Sequence, residues 1–126
     1  MLLVIFGLPG SGKTSLAKEV CRRTDAIHIN ADDVRRELSS DLGFSLEDRI
    51  EQSRRLGSLA RLISSQGKNV VVDFVNPTRS TREAFGGFDY SVFLDRISTS
   101  RFEDTNSIWE HPSGCDLTIK FGLSVS

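Results

Sequence analysis

The sequence holds 126 residues, the size of one compact domain, so separate cofactor and substrate modules are not expected. Sixteen Lys and Arg against seventeen Asp and Glu leave a formal net charge of -1, which excludes a global basic field able to hold a long polyanion. With 38% hydrophobic and 26% charged residues, the composition is that of a globule and lies far from disordered or membrane chains.

Leu2 to Phe6 is a continuous apolar run ending in glycine, which predicts a central strand covered on both faces. It has no basic leader and is too short to cross a bilayer. A helix is expected over about Lys13 to Arg23, with Leu16, Ala17, Val20 and Cys21 on one stripe. Ala26 to Ile29 reads as a second strand, after which Asn30 or Asp32 can cap a helix carrying Val34 and Leu38. Ser45 opens a Ser-x-x-Asp capping signal for a long amphipathic helix with Leu56, Leu59, Ala60 and Ile63 on one face, ended by Gly67. Val70 to Asp73 predicts a buried strand, Ser80 to Phe85 a short helix, Tyr90 to Leu94 a strand and Asp116 to Ile119 a last strand. The polar stretch from Asp95 to Gly114 reads as an irregular, lid-like loop. Strands alternating with helices imply an α/β fold, one domain over residues 1–126, with a mainly parallel central sheet flanked by helices in three layers.

Two cysteines, Cys21 and Cys115, have only His28 and His111 as possible co-ligands, which makes neither a zinc site nor a disulfide framework. They read as reduced thiols of a cytoplasmic protein.

Chemistry enters at Gly7, Leu8, Pro9, Gly10, Ser11, Gly12, Lys13 and Thr14, a complete G-x-x-x-x-G-K-[ST] placed between a strand and a helix. Glycines let the backbone wrap a phosphate with its N–H groups pointing inward, and the new helix offers its positive end to the same anion. In such a loop Lys13 reaches the β- and γ-phosphates of ATP and the Thr14 hydroxyl ligates Mg2+. Asp73, closing a hydrophobic strand, either holds that magnesium through water or merely ends the strand. Asp32, at the carboxyl edge of the sheet, can accept the proton of an acceptor hydroxyl, and Arg35 on the same helical turn can neutralise an anionic acceptor. Asp33 can be helix cap or dipole partner. Phe44 and Phe102 lie in polar surroundings, where stacking on a base and packing under a loop both stay open.

Asp41, Leu42, Gly43, Phe44, Ser45, then Glu47, Asp48, Arg49, followed by Arg54 and Arg55, resemble the Asp-Leu-Gly-Phe-Ser and Glu-Asp-Arg signature of the adenylylsulfate kinases. Those enzymes make 3'-phosphoadenylylsulfate from ATP and adenylylsulfate. Asn30 to Arg35 resembles the family's Asp-Gly-Asp-Asn-Val-Arg, and Phe74, Val75, Asn76, Pro77, Thr78, Arg79 its Phe-Ile-Ser-Pro-Tyr-Arg, so the likeness covers most of residues 1–95. It implies a P-loop kinase fold and a small anionic nucleotide as acceptor, with a homodimer admitted and no membrane partner. It also implies that Asp32 orients or deprotonates the hydroxyl and that Arg35 and Arg49 hold adenylylsulfate. Phe44 and Phe102 would clamp the adenine, with Phe74, Val75 and Asn76 beside the substrate. The departures are Asn76 for Ser, Ala31 and Asp33 for Gly and Asn, and a much shorter segment after Leu94, where Arg96 and Arg101 are the candidate lid cations. Asn30 to Arg35 is similar as well to the Asn-x-Asp-Asp-x-Arg of polynucleotide 5'-hydroxyl kinases, which would make a nucleic-acid end the acceptor. A nucleotide-gated switch is the non-catalytic alternative, although no Asn-Lys-x-Asp occurs.

Overall fold

A computed structural model describes residues 1–97 and 99–120. Five strands, β1 (Leu2–Phe6), β2 (Ile27–Asn30), β3 (Val70–Phe74), β4 (Tyr90–Asp95) and β5 (Leu117–Lys120), form one parallel sheet in the order β2-β3-β1-β4-β5. Five helices accompany them: α1 (Lys13–Thr24), α2 (Ala31–Glu37), α3 (Leu46–Ser64), α4 (Arg79–Phe85) and α5 (Glu103–Ile108). This is the expected α/β P-loop kinase architecture. The continuous apolar runs account for its centre, because β1 and β3 are covered on both faces and the five residues of β3 are all buried.

Alternation along the strands divides the core. Leu2, Val4, Phe6, Val70, Val72, Phe74 and Phe93 face α3 and α4, where Leu56, Ala60 and Phe85 close over them. Ile5, Val71 and Leu94 point the other way, onto Ala17 of α1, with Leu16, Val20 and Cys21 half-buried beside it. Asp73 falls two residues after Val71 and so emerges on the α1 face, at the carboxyl edge of the sheet. Both cysteines are free thiols. Among the described residues no helix is long and apolar enough to cross a membrane.

The capping chemistry read from the sequence is present. The Asn30 side chain accepts from the Asp33 N–H at 3.1 Å, which fixes Asn30 rather than Asp32 as the cap of α2, and Ser45 accepts from the Asp48 N–H at 3.2 Å. Most strand and helix ends lie within a residue of the expected ones, and two differences matter. β2 starts at Ile27, not Ala26, and runs through Asn30, whose register opposite Asp73 extends the ladder. The stretch from 95 to 114 is not wholly irregular, since α5 occupies its middle. Its six residues carry no apolar stripe; what holds them is tertiary, with Thr105 buried and hydrogen-bonded to Arg49 of α3 at 3.3 Å.

Helix α3 lies on α4 with no room between them. A Cβ on Gly57 would stand 2.8 Å from the Phe85 carbonyl carbon and 2.9 Å from an Arg61 nitrogen. Alanine improves helix propensity, but here overpacking against backbone outweighs it. Gly57→Ala is therefore expected to lower unfolding free energy by about 1–3 kcal/mol, read as a lower urea midpoint at unchanged m-value.

Candidate active site

The phosphate loop joins β1 to α1 by a backbone that only glycine follows easily. Gly10 and Gly12 have φ of 85° and 97°, so successive N–H groups turn inward as a concave anion nest. Helix α1 has no acidic residue in its first turn, leaving its positive end available to an anion. Lys13 is folded into the nest, 9% exposed, with Nζ donating to the Leu8 carbonyl at 3.1 Å. Burial pushes its pKa below the ordinary lysine range, while Asp73 and Asp32 oppose the shift. The Ser11 hydroxyl is buried in the same loop with no hydrogen-bond partner among the described residues, and a phosphate oxygen would supply one.

Asp73 gathers the ends of three elements. Its Oδ1 accepts from the Thr14 hydroxyl at 3.1 Å and from Asn30 Nδ2 at 3.1 Å, and its Oδ2 is bonded to His28 Nε2. The carboxylate is 2% exposed, and its position follows from register: Asn30 lies opposite Asp73 across β2 and β3, and His28 is two residues back on the same face. From the sequence His28 reads only as a possible co-ligand of the cysteines, though its period-two spacing from Asn30 carried the signal. Thr14 and Asp73 supply hard oxygen donors, and among the described residues no three His, Cys, Asp or Glu side chains form a metal cage. That sparse donor set fits magnesium, which keeps most of its water and takes few protein ligands.

A cavity of about 840 Å³ adjoins this loop. It brings Pro9, Gly10, Lys13, Thr14 and Asp73 together with Asp32, Arg35, Phe44, Arg49, Phe74, Val75, Asn76, Arg101 and Phe102. Gly7, Leu8, Ser11 and Gly12 form the rest of the loop beside it. Asp32 is exposed in the first turn of α2.

Arginines shape part of the cavity wall. Arg35 Nη1 donates to the Gly43 carbonyl at 2.7 Å, Arg49 Nε to the Phe44 carbonyl at 2.8 Å, and the two guanidinium carbons lie 4.5 and 5.7 Å from the Phe44 ring centroid. Burial, with Arg49 next, lowers the Arg35 pKa against Asp32 and Asp48, so positive charge is crowded here. The Phe44 ring is nevertheless 64% exposed and free to stack. Arg49 also donates to Asp104 at 2.9 Å, which ties α5 and the adjoining Phe102 to this side of the cavity. Arg101 lies over the Phe102 ring at 5.0 Å. Gln52 was missed in the sequence reading: it sits on α3 three residues after Arg49, donates to the Ala31 carbonyl at 3.3 Å, and leaves its own buried carbonyl without a partner in the cavity wall.

Comparison with known proteins places the chain in a family. The adenylylsulphate kinase family pattern matches residues 1–88. An adenylyl-sulfate kinase of Shewanella halifaxensis is 43% identical over 106 residues, covering 79% of this chain and 52% of that protein. A probable adenylyl-sulfate kinase of Bacillus subtilis is 39% identical over 87 residues, covering 65% of this chain and 44% of that one. The chain thus spans about half the length of these curated relatives. The Mycobacterium tuberculosis APS kinase CysC, solved with AMPPNP and APS, superposes with a TM-score of 0.86 at 27% identity, over 98% of this chain and 90% of that one. The chain belongs to the adenylylsulphate kinase family.

Proposed function

We propose that the chain transfers the γ-phosphoryl group of ATP to the 3'-hydroxyl of adenylylsulfate, giving 3'-phosphoadenylylsulfate and ADP. The observation that carries this reading is a single cavity shared by two chemistries. Lys13, Thr14 and Asp73 share its lining with Asp32, Arg35, Phe44 and Arg49.

The reaction is an in-line displacement, so the protein works by positioning and charge compensation. Loop N–H groups and Lys13 hold the β- and γ-phosphate oxygens, and Thr14, with Asp73 through water, would hold magnesium. Bound there, the ion neutralises charge on those oxygens. Asp32 takes the proton of the 3'-hydroxyl as its oxygen forms the bond to the γ-phosphorus and the bond from that phosphorus to the bridging oxygen of ADP breaks. Arg35 and Arg49 offset the charge of the phosphosulfate. Phe44 and Phe102, both lining the cavity, stack on the adenine, and Phe74, Val75 and Asn76 form the wall beside it. The whole described chain shares one sheet, which supports one kinase domain, and two free thiols support a cytoplasmic setting.

Labelled ATP offered in parallel with adenylylsulfate, deoxynucleosides and a 5'-hydroxyl oligonucleotide tests the acceptor. Label is expected in 3'-phosphoadenylylsulfate and to vanish in Lys13→Ala; label on the oligonucleotide would replace this reading with an end-kinase. Asp32→Asn is expected to lower kcat by about 100-fold, the usual scale for a positioned base. An unchanged kcat with a raised acceptor KM would make Asp32 a binding group instead.

A further inference from the structure

Asp73 is held at both of its oxygens, and the two grips differ in kind. Oδ1 accepts from the Thr14 hydroxyl and from Asn30 Nδ2, each at 3.1 Å. Oδ2 has the same Asn30 nitrogen at 3.3 Å and a closer partner in His28 Nε2. An ionised carboxylate only accepts, so the ring nitrogen donates. Asn30 offers one nitrogen to both oxygens and does not by itself choose which of them meets Thr14; His28 bonds to one only and does choose. Register puts the ring there, because His28 lies opposite Val71, on the face that packs against Ala17, Val20 and Cys21 of α1. Those neighbours are apolar, and among the described residues His28 makes no other side-chain hydrogen bond.

A hydroxyl that gives its proton to one carboxylate turns its lone pairs elsewhere, so this bond orients the Thr14 oxygen. In the kinase reading, on which this step rests, that oxygen is a ligand of the magnesium that accompanies ATP. The orientation of such a ligand is set by the partners behind it. We infer that His28 is a positioning residue for the metal: by holding Asp73 Oδ2 it keeps Oδ1 on the Thr14 hydroxyl, and so keeps the hydroxyl oxygen presented to magnesium. His28 does not line the cavity, so it acts through the carboxylate and not on the nucleotide.

Equilibrium titration with ATP, once in magnesium and once in EDTA, tests this in the wild type, His28→Phe and His28→Gln, each with a melting curve as a control for folding. Phenylalanine keeps a ring and suits a strand but has no donor. Glutamine sets an amide nitrogen as many bonds from the backbone as Nε2, without the charge a histidine can carry. Magnesium is expected to tighten ATP binding in the wild type. His28→Phe is expected to match the wild type in EDTA and to bind ATP about 10-fold more weakly in magnesium, the low end of what losing an outer partner costs a metal site. His28→Gln is expected to recover most of that loss. Should His28→Phe not melt cooperatively, His28→Leu takes its place in the same comparison. An equal loss in EDTA, an unchanged or raised affinity in magnesium, or a glutamine variant as weak as the phenylalanine one overturns the inference while leaving the kinase reading in place. So does a wild type indifferent to magnesium. A wild-type chain that binds no ATP in either condition overturns both.

Discussion

The active site depends on a buried carboxylate that is never left alone. Asp73 is 2% exposed, and an isolated charge at that depth would be strongly unfavourable. Thr14, Asn30 and His28 each bond to it, from α1 and from two positions on β2. The same bonds set the relation between the phosphate loop, carried by α1, and helix α2, which Asn30 caps with its other side-chain atom. One side chain thus bridges the phosphate loop and α2. Asn30 gives its amide nitrogen to Asp73 and its oxygen to the first turn of the helix that carries Asp32. In the proposed reaction, such shared partners would fix the separation of the two reacting groups.

The opposite wall is held by arginines. Arg49 links the Phe44 carbonyl to Asp104 and Thr105 at the start of α5. Arg82 holds the far end: it donates to the Asn76 carbonyl at 3.0 Å and the Glu110 carbonyl at 2.6 Å, with its guanidinium 5.3 Å from both the Phe6 and Trp109 rings. Asn76 has φ of 50°, a conformation asparagine tolerates better than most residues, and its carbonyl is presented to Arg82. A short helix with almost no hydrophobic content is therefore positioned by two cations gripping backbone oxygens and a carboxylate on either side of it. Phe102, at the N-cap of α5, is carried to the cavity by that arrangement.

Most of the fold was legible in the sequence because its signals are local. The run Leu2 to Phe6, the glycine loop, the Ser45 cap and the alternation that turns Asp73 away from Val72 and Phe74 each depend on a few neighbouring residues. What escaped notice is long-range. Helix α5 has neither an apolar stripe nor a side-chain cap, so nothing in its six residues announces it; Arg49, 55 residues away from Asp104, supplies its partner. His28 was passed over because a lone histidine on a strand carries no meaning until the strand beside it is known. The same holds for Gln52, whose amide is directed by the Ala31 carbonyl across from it.

The near-neutral net charge is compatible with the proposed anionic substrates, because many of the arginines are paired away at the surface. On the surface, Arg22 and Arg23 pair with Glu19, and Arg54 and Arg55 with Glu51, holding both glutamates down at about 2. Arg36 pairs with Asp33 and Glu37 in the same way. Exposed pairs of this kind contribute little to stability, but they cancel each other's field beyond a Debye length of about 8 Å. Lys13, Arg35, Arg96 and Arg101 are left without a carboxylate in hydrogen-bonding contact among the described residues, and all four stand around the phosphate loop and its cavity. Four cations thereby adjoin the phosphate loop and its cavity, and a local field of that kind suits small phosphorylated ligands.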